Sequence, residues 1–270
     1  MSHRDRRPHM KSQRILRSSS LAVVVIFGAV TAIAQQRGAA STQALKEELA
    51  LANRILANEG VLDGYGHVSL RSPANRDRYY LSRSKAPGLV TAADIIEYTL
   101  DSTPAVSTTA TAYIERFIHG EIYRARSDVM AIVHCHCPEV IPFAATSIPM
   151  QPLYHMSSFV GQGVPVFDIQ KASGTTDMLI RTPELGRALA ETLGSRTAAL
   201  MRGHGAVIAA ASLHLVVGQA YYLNLNARLQ LQAIQLGGPN VKYLDRDEAN
   251  QAATDYERSW DFWRSRLPRP

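Results

Sequence analysis

"AIVHCHCPEV", residues 131–140, decides how this chain is read. The apolar lead-in with β-branched Ile132 and Val133 favours a β-strand, and Pro138 marks the point where a helix can start. Side chains on a strand alternate between its two faces. His134 and His136 therefore share one face, where two imidazoles can converge on one ion, while Cys135 and Cys137 share the other and pack. They are the only cysteines in the 270 residues and stand two positions apart, so no disulfide framework organises the fold.

Working outward, turn-rich and periodic segments alternate. "STQALKEELALANRILANEG" carries Leu45, Leu49, Ala52 and Leu56 at helical spacing, with Ser41 or Thr42 able to cap it and Gly60 to end it. Short β-rich runs follow at 67–71, 79–82 and 95–100, separated by "SPANRD" and "SKAPG". A helix is expected over 111–126, with Ile114, Phe117, Ile118 and Ile122 facing the core, and it leads into the 131–140 stretch. Beyond lie a short helix near "PEVIPFAA", a strand at 164–169, a helix around "PELGRALAETLG", a strand-turn-strand in "AALMRGHGAVIAA", and a long helix from about Ser212 to Leu236. The tail reads as one final helix anchored by Trp260 and Trp263. One α/β domain over 41–270, helices packed over a sheet of short strands, is the economical reading.

The formal charge of +6 is unevenly distributed: residues 1–35 hold six Lys/Arg against Asp5, and the remainder is nearly neutral. A neutral body lacks the basic stripe that a phosphate backbone requires, so no nucleic-acid partner is expected. Residues 1–40 form a basic and apolar leader or extension, with an apolar run from Leu21 to about Ala34 and small residues at Ala32 and Ala34, the layout of an export signal. A run this short falls below the roughly 20 residues of a membrane-spanning helix. No stable membrane span is expected.

A third ligand would give the paired histidines chemistry. His204 is the strongest candidate, because it sits between two glycines of a tight turn in "MRGHGAV"; His155 in "PLYHM" and His67 in "GYGHVS" are weaker. Three imidazoles leave coordination positions open, the mark of a catalytic site. Glu115, four residues before His119 on the expected helix, could face the same cleft as a proton-transfer group. Taken singly, each of these residues reads equally well as a satisfied core or solvated side chain.

Together and in this order, the Gly66-to-Ser69 turn, Glu115 before His119, "YRARSDVMAIVHCH" and the later "GHG" resemble the class II aldolase/adducin family over about residues 42–236. The resemblance implies a three-layer α/β/α domain with a largely antiparallel central sheet, and a homotetramer with active sites at subunit interfaces. It implies a divalent metal on His134, His136 and His204, with Glu115 as the catalytic acid/base. Mn2+ is the preferred ion and Zn2+ the alternative, although imidazoles also suit Fe2+. Tyr113 and Ile114 stand where the family's sugar-phosphate enzymes carry small hydroxyl residues, which argues against a phosphorylated substrate. Arg83, Ser84 and Lys85 instead offer donors that suit a carboxylate.

"RFIHGEIYRARSDV", "PLYHM", "VPVFDI" and "TDMLI" resemble the family's branch that decarboxylates aromatic ortho-hydroxy dicarboxylates. That resemblance implies a small aromatic dicarboxylate substrate, first 3-hydroxy-2-methylpyridine-4,5-dicarboxylate of vitamin B6 degradation and alternatively 3,4-dihydroxyphthalate. Arg83, Ser84, Lys85 and His155 are then candidate substrate contacts. The alternatives are an aldolase or epimerase of a non-phosphorylated hydroxy-carbonyl compound, and a non-catalytic adducin-like assembly module, which predicts lost ligands. A cytoplasmic location with reduced thiols is expected, and a periplasmic one if the leader is cleaved near Ala34.

Overall fold

The computed structural model describes residues 41–268, so the leader over 1–40 lies outside the described residues. A helix through residues 41–58, α1, is followed by β1 (His67–Arg71), β2 (Arg78–Ser82), β3 (Ile95–Thr99), α2 (Arg116–Ala125) and β4 (Ala131–Cys135). Then come α3 (Ile141–Ala145), β5 (Val166–Phe167), α4 (Ile169–Ser173), α5 (Pro183–Leu193), β6 (Ala198–Met201) and β7 (Gly205–Ala210). The long α6 (Leu213–Gly237), α7 (Arg246–Gln251) and α8 (Glu257–Ser265) close the chain. The strands form one seven-stranded sheet in the order β3-β2-β1-β4-β7-β6-β5, antiparallel at every pairing except β5 with β6.

Strand alternation divides the core in two. On β4, Ala131, Val133 and Cys135 pack with Val68, Leu70 and Ile208 under Leu49 and Leu56 of α1 and Val216, Val217 and Leu223 of α6. Ile132 joins the opposite core, with Tyr79, Leu81 and Val207 under Ile118 and Ile122 of α2 and Leu189 and Leu193 of α5. Helices thus cover both faces of a mostly antiparallel sheet, the expected three layers. His134 projects on the α2–α5 side and β4 is flanked by β1 and β7, which places the centre of the sheet beneath the functional residues.

Four local expectations are corrected. The helix expected over 111–126 begins only at Arg116, with Glu115 as its N-cap, and Ile114 is exposed rather than core-facing. The Glu115 carboxylate turns back to accept the Ile180 N–H (2.9 Å), which holds residue 115 out of the helix. The single tail helix is two, α7 and α8, broken where Tyr256 takes a left-handed φ of 61°. Its side chain packs on Gly218 of α6, where a Cβ would come within 2.3 Å of it, and its hydroxyl donates to the Met156 carbonyl. The strand expected over 164–169 shrinks to Val166–Phe167.

The fourth correction concerns Cys135 and Cys137, which are joined as a disulfide rather than left as thiols. Two residues of a regular strand lie about 6.6 Å apart at this spacing, at the upper limit for a bridge. The strand ends at Cys135 and the backbone curls at Cys137, bringing the two Cα atoms to 5.3 Å. Both side chains are fully buried in the α1–α6 core, on the packing face that alternation assigned to them. A bridge enclosing one residue ties no distant parts of the fold together, but it removes reduced thiols as an argument for compartment. Among the described residues no helix is long and apolar enough to cross a membrane.

Candidate metal centre

β4 delivers His134 from the middle of the sheet, fully buried, and His136 stands one residue past its end. His204 sits on the turn between β6 and β7. Gly203 there has φ 66°, which an L side chain rarely adopts. Gly205 starts β7 against β4, where a Cβ would fall 2.0 Å from the Cys135 carbonyl oxygen. The two glycines of "GHG" thus make the turn and the close backbone approach that carry His204 to His136. Glu115 reaches the same point from the N-terminus of α2.

The imidazoles are aimed by their Nδ1 atoms. His134 Nδ1 lies 3.1 Å from the Ala206 carbonyl oxygen, and His204 Nδ1 2.9 Å from that of Met178. Carbonyls only accept, so both Nδ1 atoms carry the proton. His136 Nδ1 lies 3.0 Å from Asp63 Oδ2, a carboxylate that likewise accepts. Burial works against ionising Asp63, but the Tyr65 and Gly66 N–H groups and His136 hold it below the usual carboxylate range. All three Nε2 atoms therefore present lone pairs, and these converge with a Glu115 oxygen within 4.8 Å of one another.

Those lone pairs face each other. His204 Nε2 and His136 Nε2 are 3.2 Å apart, and Glu115 Oε2 is 3.4 Å from Nε2 of both His134 and His204. Donors held about 2.1 Å from one tetrahedral ion lie about 3.4 Å apart, so these three pairs already stand at the spacing of donors around a single divalent metal. His134 Nε2 is buried and makes no hydrogen bond, an orphan that coordination would satisfy. Three imidazoles and a carboxylate suit Mn2+, Zn2+ or Fe2+ alike, so the donor set fits a divalent ion without choosing one.

Without an ion, the charges arrange themselves around Glu115. Burial opposes its ionisation, but His134 and His204 hold it well below the usual carboxylate range. Burial keeps His134 neutral despite that carboxylate, whereas on His204 the carboxylate outweighs burial and raises the pKa.

The remaining candidates, His67 included, are not among the converging donors. Arg83 Nε and Lys85 Nζ each lie 2.7 Å from one oxygen of Asp94, and the Ser84 N–H donates to the Thr111 carbonyl. The Tyr113 hydroxyl is bound to the Lys85 carbonyl and Ser82 Oγ, which ties this loop to the residues just before Glu115. His155, itself exposed, opens a 3-10 helix with its ring against Tyr154 and is not among the converging donors. Asp63, which orients His136, escaped the sequence reading; its signal is the "DGYG" turn, whose N–H groups its carboxylate binds.

Residues 47–231 match the model of the class II aldolase and adducin N-terminal domain. The chain belongs to this family. Decarboxylase tropJ of Talaromyces stipitatus is 38% identical over 201 residues, covering 70% of this chain and 76% of that protein. The 3,4-dihydroxyphthalate decarboxylase of Arthrobacter keyseri is 32% identical over 219 residues, covering 76% and 84%. An aldolase II superfamily protein from Pseudomonas syringae superposes with a TM-score of 0.70 at 21% identity, over 83% of this chain and 92% of that one, which supports the fold. The family region contains Asp63, Glu115 and the three converging histidines and leaves out α7 and α8.

Proposed function

We propose that this family member is a divalent-metal-dependent carboxy-lyase acting on an aromatic ortho-hydroxy dicarboxylate. The observation that carries the reading is the position of Glu115: Oε1 is pinned by the Ile180 N–H, while Oε2 sits against the converging imidazoles. Two relatives named as decarboxylases, one of them a decarboxylase of 3,4-dihydroxyphthalate, support the reaction class.

His134, His136 and His204 would hold the ion, with Mn2+ the first choice and Zn2+ the second. A divalent ion supplies a Lewis acid that stabilises negative charge on a substrate oxygen. Glu115, ionised at rest, takes the proton of the ring hydroxyl on Oε2 and delivers it to the ring carbon that bears the carboxylate. The bond from that carbon to the carboxylate then breaks, its electron pair returns to the ring, and CO2 leaves. A solvent proton restores the hydroxyl. Arg83, Ser84 and Lys85 are the proposed contacts of the second carboxylate, and His155 is a further proposed substrate contact; a homotetramer is the proposed assembly. Asp94 leaves the Arg83–Lys85 pair one net positive charge, enough to favour an anion.

The test is direct. Protein loaded with Mn2+ or Zn2+ is incubated with 3,4-dihydroxyphthalate and, separately, with 3-hydroxy-2-methylpyridine-4,5-dicarboxylate, and CO2 is measured. Release from either substrate, abolished by chelation, is the expected result. Absence of CO2 from both rejects the reading, and retro-aldol cleavage of a hydroxy-carbonyl compound would replace it.

A further inference from the structure

Beside the metal centre runs a second buried set of polar groups that the proposed reaction leaves unused. His67 stands opposite His134 in the β1–β4 register, with ring centroids 5.2 Å apart, and its ring lies 4.3 Å from that of Tyr113. His67 Nδ1 is 2.8 Å from His119 Nε2, and His119 Nδ1 is 2.6 Å from Ser69 Oγ. Ser69 Oγ is 2.8 Å from the Tyr123 hydroxyl, which reaches the Met130 carbonyl oxygen at 3.4 Å. All four side chains are buried, and His67 Nε2 makes no hydrogen bond among the described residues.

Each member of such a chain donates in one direction only, so a single fixed polarity orders the rest. The fixed member is the Met130 carbonyl, which can only accept. With the Tyr123 proton directed there, Ser69 donates to Tyr123, His119 Nδ1–H to Ser69, and His67 Nδ1–H to His119. The opposite order forgoes the bond to Met130, which leaves that order one hydrogen bond short. His67 Nε2 is then a lone pair, set beside Tyr113 and His134.

We infer that His67 is a substrate-binding residue that accepts a hydrogen bond from a second ring hydroxyl, next to the one that reacts, with His119, Ser69 and Tyr123 as the positioning residues that fix its tautomer. The inference rests on the decarboxylase reading and sharpens its substrate. A neutral acceptor repels a carboxylate and has no partner on a ring with a single hydroxyl. The site therefore takes a vicinal dihydroxy-aromatic dicarboxylate in preference to the hydroxypyridine.

Two measurements test it. In the zinc-loaded full-length chain labelled with nitrogen-15 histidine, long-range proton–nitrogen correlation spectra are expected to show His67 and His119 protonated on Nδ1 only. A proton on His67 Nε2 overturns the inference, whatever the enzyme's reaction. The second is calorimetric binding of 3,4-dihydroxybenzoate, the product of decarboxylating 3,4-dihydroxyphthalate, compared with 3-hydroxybenzoate, which keeps the hydroxyl that reacts and lacks the second one. His67→Leu is expected to weaken the dihydroxy ligand about tenfold, the scale of one buried hydrogen bond, and the monohydroxy ligand less than about twofold. Equal weakening of both ligands, or of neither, with zinc content unchanged, rejects the role. If His67→Leu fails to fold, Ser69→Ala breaks the chain one bond further from the site and is expected to shift the His67 tautomer populations with a smaller, still selective loss. Should the wild type bind neither ligand, the dihydroxy-substrate assignment falls, and the decarboxylase reading is judged separately by CO2 release.

Discussion

Two clusters of histidine lie side by side in this protein, one across the β1–β4 ladder from the other. His134 and His119 are both fully buried, both surrounded by aromatic rings, and both lie near Glu115. They differ in where their Nδ1 protons go. In the metal centre each Nδ1 meets an oxygen held by another part of the fold, so three Nε2 lone pairs converge and call for a cation. In the neighbouring set the imidazoles bond to each other and to a serine, which satisfies three of their four ring nitrogens and leaves a single open one, His67 Nε2, rather than a converging group. Burial does not distinguish a ligand from a relay; the partner of the second ring nitrogen does.

The most severe way to break the comparison is to remove a converging nitrogen. His204→Ala deletes the ligand carried by the "GHG" turn, and bound metal measured after purification should fall from stoichiometric towards none. Activity should fall by about three orders of magnitude or more, the scale set by several kcal/mol of metal-ion catalysis. Glu115→Gln should behave differently. Its amide oxygen still accepts the Ile180 N–H and the three imidazoles remain, so metal content should hold while kcat drops by about 10² to 10⁴, the usual contribution of general acid–base transfer. Comparable metal loss in both variants would make Glu115 a ligand first and a proton carrier second.

Much of this was legible in the chain itself. Strict alternation in "VHCHCP" separates the histidines from the packing cysteines, and β4 keeps that division, with His134 facing α2 and Cys135 facing α6. Period-2 and helical patterns placed the sheet strands, α1, α5 and α6 to within a few residues. What alternation could not reveal was the curl at Cys137 that closes the disulfide, because it depends on how the strand ends. Helical periodicity put Glu115 inside a helix, since the pull of the Ile180 N–H, 65 residues away in sequence, leaves no local trace. The Ser69–Tyr123 contact has the same character: "HVSLR" and "GEIYRA" each read as ordinary core segments until the sheet brings them together.

A gentler perturbation acts on the relay and not on the metal. Burial, opposed only weakly by Glu115, depresses His119 from 6.5 to about 3, and burial also lowers His67 well below its ordinary value. The unfolded chain therefore binds more protons than the fold between these values, so stability grows with pH across the window. The contribution is fully present above about pH 6.5 and is lost as the pH falls towards 3. Each such group contributes at most about 1.4 kcal/mol per pH unit. Thermal unfolding of the metal-free protein should drop steadily from pH 7 to pH 4.5, and His119→Gln should flatten that slope even if it lowers the starting stability. An unchanged slope would mean that His119 is not the neutral member described here.

The smallest expected effect tests the one ligand whose orienting group is a side chain. His134 and His204 are aimed by backbone carbonyls, which no substitution removes, whereas His136 depends on Asp63. Asp63 accepts at both oxygens: Oδ1 takes the Tyr65 and Gly66 N–H groups and Oδ2 faces His136 Nδ1. Asparagine cannot do both. Its amide N–H must point either at the two turn N–H groups or at the protonated Nδ1, and each arrangement sets donor against donor. Asp63→Asn should therefore loosen the turn or turn His136 away from the centre. Losses of about 10- to 100-fold in metal affinity are usual for such orienting groups, and the Asp63 side chain, 47% exposed, leaves room for water to take its place. The expected loss is accordingly about tenfold, read by competition with a chelator of known affinity. A loss as large as that of His204→Ala would show that His136 orientation, and not the number of imidazoles, limits metal binding. Full retention would show that water alone suffices to aim the third ligand.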